Sequence, residues 1–488
     1  MTQNIAIIGS GFLGMTLALR LAERGDRVTI FESANEIGGL ASAWQIGDHT
    51  WDKHYHVTLA SDAHTRKLIG DLGLGDEFNW VETKTGFYTG GKLVSMSNTM
   101  EFLKFPPLGI IGKLRLGATI FYASRVKDWK KLERISVEDW LTKLSGRKTF
   151  EKIWKPLLKA KLGDAYKETS AAFIWATIQR MYAARNSGLK KEMFGYVRGG
   201  YARVLERFAE VLLDKGVKVR LNAPVRSVER SSNGKFTVRE FDARRKNDTQ
   251  ATILGIDKQQ AARYASYNVA AVAARGFSAG FLTGPQASAD NVRPFPAPEQ
   301  TFDKVVMTCP SPVAAKAADQ LTATEKHDLN SITYQGIVCA SVLMKCSLSN
   351  FYVTNITDDA PFTGVIEMTA LVDKRDFDKN ALVYLPKYAA PDDPIFDESD
   401  SDIQRKFLNA LEKMYPHFKR SDVLSFKVSR VRQVFPLPVL NYSDRLPDVE
   451  TSVAGLYILN SSHIVNGTLN VNETVALAEN FVDRLSRS

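Results

Sequence analysis

The sequence predicts an α/β protein whose core is a parallel sheet built from strands that lie far apart in the chain. The apolar run from Asn4 to Ile8 ends in a glycine, which is typical of a buried parallel strand. Helical periodicity from Met15 to Arg24 and a second apolar run from Arg27 to Phe31 complete one βαβ unit. Two more such runs, Lys304 to Cys309 and Gly455 to Leu459, stand much later in the chain. We therefore expect a discontinuous sheet with other structure inserted between its strands.

A glycine-rich turn joins the first strand to the first helix. It consists of Gly9, Ser10, Gly11, Phe12, Leu13 and Gly14. In a G-x-G-x-x-G turn the glycines permit a tight bend, close approach of the backbone to a pyrophosphate, and close packing of helix on strand. The helix N-terminus offers free N–H groups to the phosphates, and Glu32, about twenty residues on, can accept both ribose hydroxyls. These features predict a Rossmann-type site for the ADP half of a dinucleotide.

A second glycine pair indicates which dinucleotide binds. Gly38 and Gly39 follow Glu32 by only a few residues and lead into Leu40, Ala41 and Ser42. A nicotinamide dehydrogenase has no need of glycines at this place, whereas an FAD protein leads its chain along the pyrophosphate and ribityl. We therefore predict FAD as the cofactor.

The remaining elements are predicted from periodicity and turn residues. In chain order they are a helix over 65–75, strands on either side of the Gly90-Gly91 turn within 80–95, a mostly helical region over 101–195 with a capped start at Ser136, a helix over 201–214 opened by Gly199-Gly200, strands over 217–221, 225–230 and 235–241, several strands and an amphipathic helix (403–415) within 332–430, and a final helix over 473–485. Residues 243–300 are rich in alanine, glutamine and glycine, and we interpret them as an insertion.

Several motifs together resemble the FAD-dependent amine oxidase superfamily, in its protoporphyrinogen oxidase-like and phytoene desaturase-like branch. They are Glu32 with Gly38-Gly39, Trp51-Asp52-Lys53-His54-Tyr55-His56, Trp154-Lys155-Pro156-Leu157-Leu158 with Lys161-Leu162-Gly163-Asp164, Arg198-Gly199-Gly200-Tyr201, Pro224-Val225, and the C-terminal strand and helix. This superfamily also includes UDP-galactopyranose mutase. The resemblance covers most of the chain.

The resemblance implies a set of FAD contacts. The residue matching Val225 binds adenine through its backbone, the turn at Thr308 and Cys309 comes near the cofactor, and the loop before the last helix offers N–H groups to the flavin. The full expected set is Gly9, Ser10, Gly11, Phe12, Leu13, Gly14, Glu32, Ser33, Gly39, Leu40, Ala41, His54, Tyr55, His56, Val225, Thr308, Cys309, Ser461, Asn472, Glu473 and Thr474. Where most of the superfamily has Gly-Asp after the last strand, this chain has Asn460-Ser461, so that carboxylate contact is missing.

The resemblance also implies a domain division. Residues 1–64, 196–330 and 436–488 form the discontinuous Rossmann-type FAD-binding domain, with 243–300 as an insertion within it. Residues 65–195 and 331–435 form an inserted α+β substrate domain.

His54 and His56 are the candidate catalytic residues. They fall where the family has residues that face the flavin and the substrate, and histidine can relay a proton or orient a carbonyl at neutral pH. The alternative is that both are ordinary residues at the edge of a sheet. No Cys/His cluster has metal-ligand spacing, so no metal site is expected.

We expect an FAD-dependent oxidoreductase, namely an oxidase, dehydrogenase or desaturase. It would transfer hydride to flavin from a C–N, C–O or C–C bond of an organic substrate, lipidic molecules included. Two alternatives stay open: a non-redox flavin-dependent isomerase of the UDP-galactopyranose mutase type, and a flavin-binding subunit without turnover of its own.

The charge of the chain is concentrated in one segment. The 488 residues carry a net charge of +10, and residues 101–200 alone hold 21 Lys and Arg against 9 Asp and Glu, which is +12. Apolar residues such as Leu114 and Phe121 are interleaved with these cations, which suits a helix lying on an anionic membrane. A basic funnel for a phosphorylated substrate and a plain solvated face are the alternatives. Nucleic acid is not expected, because no binding motif accompanies the charge.

The location predicted from the sequence is cytoplasmic, or peripheral on the inner face of a membrane. The first strand begins at Asn4, which leaves no room for a signal peptide, and the longest apolar stretch, 108–123, is broken by Lys113 and Arg115.

Overall fold

The computed structural model describes residues 2–185, 193–241, 300–465 and 467–487. The predicted insertion at 243–300 lies outside the described residues except for its last position. Helices and strands alternate through the rest, which confirms the α/β content that the sequence predicts.

The elements of the first 185 residues are, in chain order, β1 (Asn4–Ile8), α1 (Phe12–Glu23), β2 (Arg27–Phe31), β3 (Ala43–Ile46), β4 (His49–Asp52), β5 (Thr58–Leu59), α2 (Ala63–Asp71), β6 (Phe78–Glu82), β7 (Thr85–Thr89), β8 (Lys92–Ser95), α3 (Thr99–Lys104), α4 (Ile110–Ala123), α5 (Trp129–Glu133), α6 (Val137–Ser145), α7 (Arg147–Thr149), a π-helical turn (Phe150–Trp154), α8 (Lys155–Leu162) and α9 (Ala171–Arg185).

The later elements are β9 (Met193–Val197), α10 (Gly200–Asp214), β10 (Lys218–Arg220), β11 (Val225–Arg230), β12 (Phe236–Glu240), β13 (Thr301–Phe302), β14 (Lys304–Met307), α11 (Ser311–Ala317), α12 (Ala323–Ser331), β15 (Tyr334–Met344), β16 (Val353–Ile356), β17 (Gly364–Glu367), β18 (Ala381–Ala389), α13 (Asp400–Met414), β19 (Val423–Pro436), β20 (Leu456–Ile458) and α14 (Val471–Arg487).

A five-stranded parallel sheet collects strands from three distant parts of the chain, in the order β10-β2-β1-β14-β20. Both of its faces are covered, which explains the continuous apolar run of β1. Ile5 and Ile7 pack with α1, α10 and α14, whereas Ala6 and Ile8 point to the opposite core with α11 and β11 to β13. Successive side chains of a strand face opposite sides, so a strand between two cores is apolar nearly throughout.

A seven-stranded mixed sheet, in the order β19-β15-β18-β17-β16-β7-β8, forms the second large unit. All eleven residues of β15 are buried, and α13 packs against one face of the sheet through Phe407 and Leu411. The stretch 80–95, predicted as strand, turn and strand, is divided between two sheets. β6 pairs with β9, and only β7 and β8 form the predicted hairpin.

A helical region over α3–α9 has its own core, which includes Trp140, Phe150 and Trp154. Helix α2 is not part of it. Leu68 and Ile69 pack in the core that holds β1, α1 and α14, although the predicted boundary assigns residues from 65 onward to the other domain. Across the described ranges, every helix is too short or too polar to cross a membrane.

Candidate functional site

The glycine turn between β1 and α1 has the tight geometry expected of its sequence. Gly9 has a φ of +110°, which other residues rarely adopt, and a Cβ there would lie 2.6 Å from the Thr308 hydroxyl. A Cβ at Gly14 would lie 2.0 Å from the carbonyl oxygen of Gly9. Helix α1 can therefore approach β1 this closely only with glycine at position 14.

Gly11 differs from the other two glycines, because among the described residues, its two chain neighbours apart, no atom lies within 4 Å of the place its Cβ would take. It precedes α1 with a φ of −65°, and no side chain caps the helix. The first N–H groups, those of Phe12, Leu13 and Gly14, come before the first intrahelical bond, which Met15 donates to Gly11 at 3.0 Å. Open space in front of free helix donors is the cradle that the pyrophosphate of FAD requires, so these residues fit the group.

Glu32 lies at the carboxyl end of β2, against the glycine turn. Its carboxylate accepts hydrogen bonds from the Ser10 N–H at 2.8 Å, the Ser10 hydroxyl at 2.7 Å and the Ala34 N–H at 2.8 Å. The exposed Ser33 hydroxyl is 3.2 Å away. The Ser33 hydroxyl donates the fourth of these bonds, which fills the roughly four acceptor positions of a carboxylate, so a ribose hydroxyl would take the place of this long bond from the exposed Ser33 side chain.

The second glycine pair lies directly against the first. Gly38 donates its N–H to the Ser10 carbonyl at 2.9 Å and forms a parallel bridge with Gly11. A Cβ at Gly39 would be 3.2 Å from the Cα of Gly11. Leu40 and the buried Ala41 continue this loop, so the residues predicted from the two glycine motifs lie side by side.

Two further segments reach the same place from later in the chain. Ala223 donates its N–H to the Glu32 carbonyl at 2.8 Å, which sets the start of β11 at Val225 beside the end of β2. Thr308 donates both its N–H and its hydroxyl to the Ile8 carbonyl, each at 2.9 Å. Burial, with a smaller effect of Glu32, raises the pKa of the Cys309 thiol to about 12, so this thiol is neutral.

The Asn460-Ser461 departure has a structural explanation. Asn460 is 1% exposed, its amide nitrogen donates to the Cys309 carbonyl at 2.9 Å, and its amide oxygen accepts from the Ser462 N–H at 3.0 Å. An aspartate could not donate to that carbonyl. The asparagine thus joins the end of β20, next to Ser461, to the turn after β14, a role that the motif comparison missed.

The residues at the start of α14 are held less directly. The N–H of Glu473 donates to the Asn470 side chain at 3.0 Å, and the N–H of Thr474 donates to the Asn470 carbonyl at 3.1 Å. The Asn472 side chain accepts the N–H of His64 at 2.9 Å and so caps α2 from outside that helix. The N–H of Glu473 is thus capped and that of Thr474 makes the first intrahelical bond, which leaves the N–H of Asn472 as the one of the three predicted contacts that is available to the flavin.

The two candidate histidines have different surroundings. His54 is 8% exposed, and both of its ring nitrogens are engaged, with the Leu40 carbonyl at 3.1 Å and the Ser429 hydroxyl at 3.2 Å. Within the described part of the chain, His56 bonds only through Nδ1, to the His54 carbonyl at 2.9 Å, and that bond requires a proton on Nδ1 and leaves Nε2 unprotonated. Burial lowers the pKa of both histidines to about 4, so both are neutral at pH 7. The two ring bonds of His54 suit a positioning role, whereas His56 keeps Nε2 as an unprotonated ring nitrogen.

Tyr55, between the histidines, belongs to a partly buried cluster that motif reasoning did not assemble. Its hydroxyl is 3.0 Å from that of Tyr388 on β18, and the Tyr388 ring packs edge-on against Phe435 of β19. The ammonium of Lys161 on α8 lies 3.8 Å from the centre of the Tyr388 ring and 5.2 Å from that of Phe435. We call Tyr55, Lys161, Tyr388 and Phe435 the tyrosine cluster. It joins the glycine-turn region, the large sheet and the helical region.

Lys161 is the cation of this cluster, and its pKa is strongly perturbed. Among the described residues it has no carboxylate partner, and burial alone lowers its pKa to about 7. Burial likewise raises the pKa of Tyr55 to about 12 and that of Tyr388 well above its usual value. Lys161 stands within one of the motifs quoted above, but nothing in the sequence distinguishes it from the other cations of its segment.

Asp52 explains why Arg198-Gly199-Gly200-Tyr201 accompanies Trp51-Asp52 in the sequence. Its buried carboxylate accepts the N–H of Ala202 at 3.3 Å, at the N-terminus of α10. Gly200 has a φ of +68°, and a Cβ there would be 3.0 Å from the Asp52 carboxylate. Burial raises the pKa of Asp52 to about 8 despite these backbone donors, so it is largely protonated at pH 7. Throughout the described ranges, no three His, Cys, Asp or Glu side chains are grouped to hold a metal ion.

Comparison with known proteins agrees with this geometry. The flavin containing amine oxidoreductase family matches residues 14–260 and 286–469. A 15-cis-phytoene desaturase from Solanum lycopersicum is 25% identical over 250 residues, which cover 47% of this chain and 42% of the relative. The chain thus spans less than half the length of this curated relative.

Solved structures share the fold over nearly the whole chain. A protein from Exiguobacterium sp. 255-15, provisionally assigned as a protoporphyrinogen oxidase, superposes with a TM-score of 0.68 at 17% identity and covers 99% of both chains. A reduced UDP-galactopyranose mutase superposes with a TM-score of 0.66 at 12% identity, over 100% of this chain and 95% of its own. The family match extends over most of the sequence, and the chain therefore belongs to the flavin containing amine oxidoreductase family, with FAD as its cofactor.

Proposed function

We propose that this protein oxidises an apolar organic substrate by hydride transfer to FAD. The observation that carries the proposal is the junction between the FAD cradle and the tyrosine cluster. His54 bonds to Leu40 in the loop that lies against Gly11, and the adjacent Tyr55 bonds to Tyr388. A substrate held in the tyrosine cluster would therefore be close to the cofactor.

The ionisation of this region favours an apolar substrate. His54 and His56 have pKa values lowered to about 4, Tyr55 has a pKa raised to about 12, and burial has moved Lys161 toward neutrality as well. A nucleotide-linked sugar would need fixed cations to pair with its phosphates. The mutase alternative is thus disfavoured on chemical grounds, and its support is a fold similarity at 12% identity. The phytoene desaturase relative is named for a hydrocarbon, which fits the same class of substrate.

The proposed reaction removes two hydrogens from the substrate. The substrate loses one hydrogen as a hydride and a second as a proton, and a C–N, C–O or C–C single bond becomes a double bond. When bound, FAD supplies the acceptor for the hydride. We assign to the aromatic side chains of the tyrosine cluster the holding of the substrate and the exclusion of water, and to His56, whose Nε2 is left unprotonated by the Nδ1 bond, the acceptance of the proton.

Anaerobic mixing of the flavin-loaded protein with apolar amines, alcohols and polyenes tests this proposal. We expect stoichiometric loss of the oxidised-flavin absorbance together with a product two hydrogens lighter by mass spectrometry. Product that has the mass of the substrate, and that forms only after dithionite reduction, would instead establish the isomerase alternative. A protein that keeps its flavin but reduces it with none of these compounds would point to the non-catalytic subunit.

A further inference from the structure

Helices α3 and α4 carry an unusual exposed apolar surface. Of the eleven large apolar side chains that are exposed in the described residues, seven lie between positions 100 and 122. They are Met100, Leu103, Ile110 (77% exposed), Ile111 (76%), Leu114 (67%), Phe121 (56%) and Tyr122. We call these seven residues the apolar patch. Soluble proteins scatter such side chains singly, so this concentration needs an explanation.

The patch is not the core-facing side of a displaced helix. The inner face of α4 is already packed, with Leu116, Thr119 and Ala123 buried on the core of the helical region. Ile110, Leu114 and Phe121 follow helical spacing on the opposite face, where a surface helix of a soluble protein has polar residues. Helix α4 is thus apolar on both faces, and its outer face has no partner within the described part of the chain.

The cations of α4 are directed away from this outer face. Lys113 donates to the Leu103 carbonyl at 2.7 Å, and Arg115 donates to the carbonyls of Lys143 at 3.1 Å and Leu144 at 3.2 Å. These bonds hold the two helices and the neighbouring turn in place and leave the outer face of α4 free of charge.

Other cations flank the patch along the chain, and we call them the basic rim. Lys104, Lys127, Lys130 and Lys131 are exposed, and the guanidinium of Arg125 lies 4.8 Å from the centre of the Phe121 ring. Residues 99–134 together contain eight Lys and Arg against three Asp and Glu, a local charge of +5. An apolar face bordered by cations is the pattern of a helix that lies in a lipid interface.

We propose that the apolar patch and its basic rim dock the protein on an anionic lipid bilayer. The apolar side chains of α4 enter the acyl boundary, and Lys127, Lys130 and Lys131 rest on the headgroups. A second copy of this chain fits the surface less well, because a twofold contact would bring two +5 regions together. An anionic bilayer offers both the apolar layer and the opposite charge that the surface requires. This inference goes beyond the proposed redox function and does not depend on it.

Flotation of the flavin-loaded protein with lipid vesicles tests the proposal. We expect the protein to float with vesicles of phosphatidylcholine and phosphatidylglycerol, to float poorly with phosphatidylcholine alone, and to dissociate as salt is raised. A protein that stays at the bottom with both kinds of vesicle overturns the proposal. So does equal flotation with neutral and anionic vesicles.

Two triple variants separate the apolar and the electrostatic contributions. Lys127→Glu, Lys130→Glu and Lys131→Glu together should weaken binding to anionic vesicles at least about a hundredfold, as expected for three surface cations. The matched control, Lys92→Glu, Lys345→Glu and Lys419→Glu, makes the same change in net charge on exposed lysines elsewhere and should bind far more strongly than the first variant. Equal losses in the two variants would mean that only the net charge matters, and the patch would have no specific role.

Ile110→Ser, Leu114→Ser and Phe121→Ser together remove exposed apolar area and should abolish flotation while the FAD content stays unchanged. The control is Leu213→Ser, Leu221→Ser and Leu424→Ser, which changes three other exposed leucines and should leave flotation intact. Solution mass is measured in parallel. If the wild type is a dimer that the patch variant dissociates, and neither floats, the surface is a contact between copies and the lipid proposal is wrong.

Discussion

Lys161 shows how strongly the pKa of one side chain can depend on its surroundings. Its ammonium has two aromatic rings for neighbours and no carboxylate among the described residues, and burial lowers its pKa from 10.5 to about 7. Below pH 7 the folded protein carries the full cost of desolvating this cation. Between about pH 7 and pH 10.5 the folded state is neutral while the unfolded chain still binds the proton, so the cost shrinks as pH rises.

A neutral side chain of similar shape should therefore stabilise the flavin-free protein at low pH. We expect Lys161→Met to raise the free energy of unfolding by on the order of 3 kcal/mol at pH 6, with the gain disappearing toward pH 10.5. Urea unfolding at several pH values measures this. Lys159→Met changes an exposed lysine on the same helix and should have little effect at any pH. A gain that does not depend on pH would show that packing, and not charge, causes it.

The two histidines make separable predictions. His54→Ala leaves the Leu40 carbonyl and the Ser429 hydroxyl without their partner, which costs about 1–3 kcal/mol and loosens the loop beside Gly11. We expect FAD to bind about tenfold or more weakly in this variant. His56→Ala should keep its FAD and lose turnover, because only the basic Nε2 is removed.

Flavin content after dialysis and turnover per bound flavin measure the two effects independently. The assignment requires that His54→Ala loses flavin more than turnover per bound flavin, and that His56→Ala loses turnover per bound flavin more than flavin. Full activity per flavin in His56→Ala would make both histidines structural residues.

At the scale of elements, the turn between β1 and α1 was the most predictable feature. Its glycines, the strand before it and the helix after it all carry local signals, and the structure differs in placing the helix over Phe12–Glu23 and not over Met15 to Arg24. The division of 80–95 between two sheets was not predictable, because the chain passes from β6 to β7 without a change in composition. Strand partners depend on tertiary packing that a local pattern does not contain.

Substitutions at two of the three glycines of this turn should have different effects on folding and on FAD binding. Gly11→Val introduces a side chain into open space with an ordinary φ, so the flavin-free protein should fold with nearly unchanged stability and bind no FAD. Gly14→Val would press its side chain against the Gly9 carbonyl, where even a Cβ is only 2.0 Å from the oxygen, so it should prevent folding. Circular dichroism and flavin content distinguish the two outcomes. A Gly11→Val protein that is yellow would mean that the pyrophosphate lies elsewhere.

The start of α10 depends on two residues whose contact is visible only in the structure. Asp52 and Gly200 are far apart in sequence, yet the carboxylate of one lies at the helix terminus that the other opens. Gly200→Ala should destabilise the protein by about 1–3 kcal/mol, since it combines a positive φ with contact on Asp52. Urea unfolding measures this loss, and Gly117→Ala, at an exposed site in α4 with open space around it, should cause no loss. Equal stability of the two variants would show that the approach of Asp52 is not constrained.

For the whole molecule, the candidate FAD site is assembled from segments that the sequence could name but not join. Glycine turns and an acid at the end of a strand have local signatures, so Gly11, Glu32 and Gly39 were identified. Asn460 was noticed only as a departure from a pattern, because its bond to Cys309 connects residues on different strands. Lys161 was hidden by the charge of its segment, since the burial of one lysine among many cannot be seen in composition.

This assembly makes FAD a stabiliser of the entire fold. The cradle combines the turn after β1, the loop beside Gly38, the start of β11 and the turn after β14, and these come from three separated parts of the chain. A ligand that binds only the folded state stabilises it by about 2.7 kcal/mol when its concentration is a hundred times Kd. We therefore expect added FAD to raise the Tm of the flavin-free wild type in a concentration-dependent way.

Gly11→Val should melt at the temperature of the flavin-free wild type and show no rise at any FAD concentration. Glu32→Ala should begin from a lower Tm, because the Ser10 and Ala34 N–H groups lose their acceptor, and its rise with FAD should be displaced to concentrations about tenfold to a hundredfold higher, because the ribose acceptor is lost. Differential scanning calorimetry over an FAD series measures all three curves. If Gly11→Val rises with FAD as the wild type does, FAD stabilises the protein from another site, and the assignment of the cradle fails.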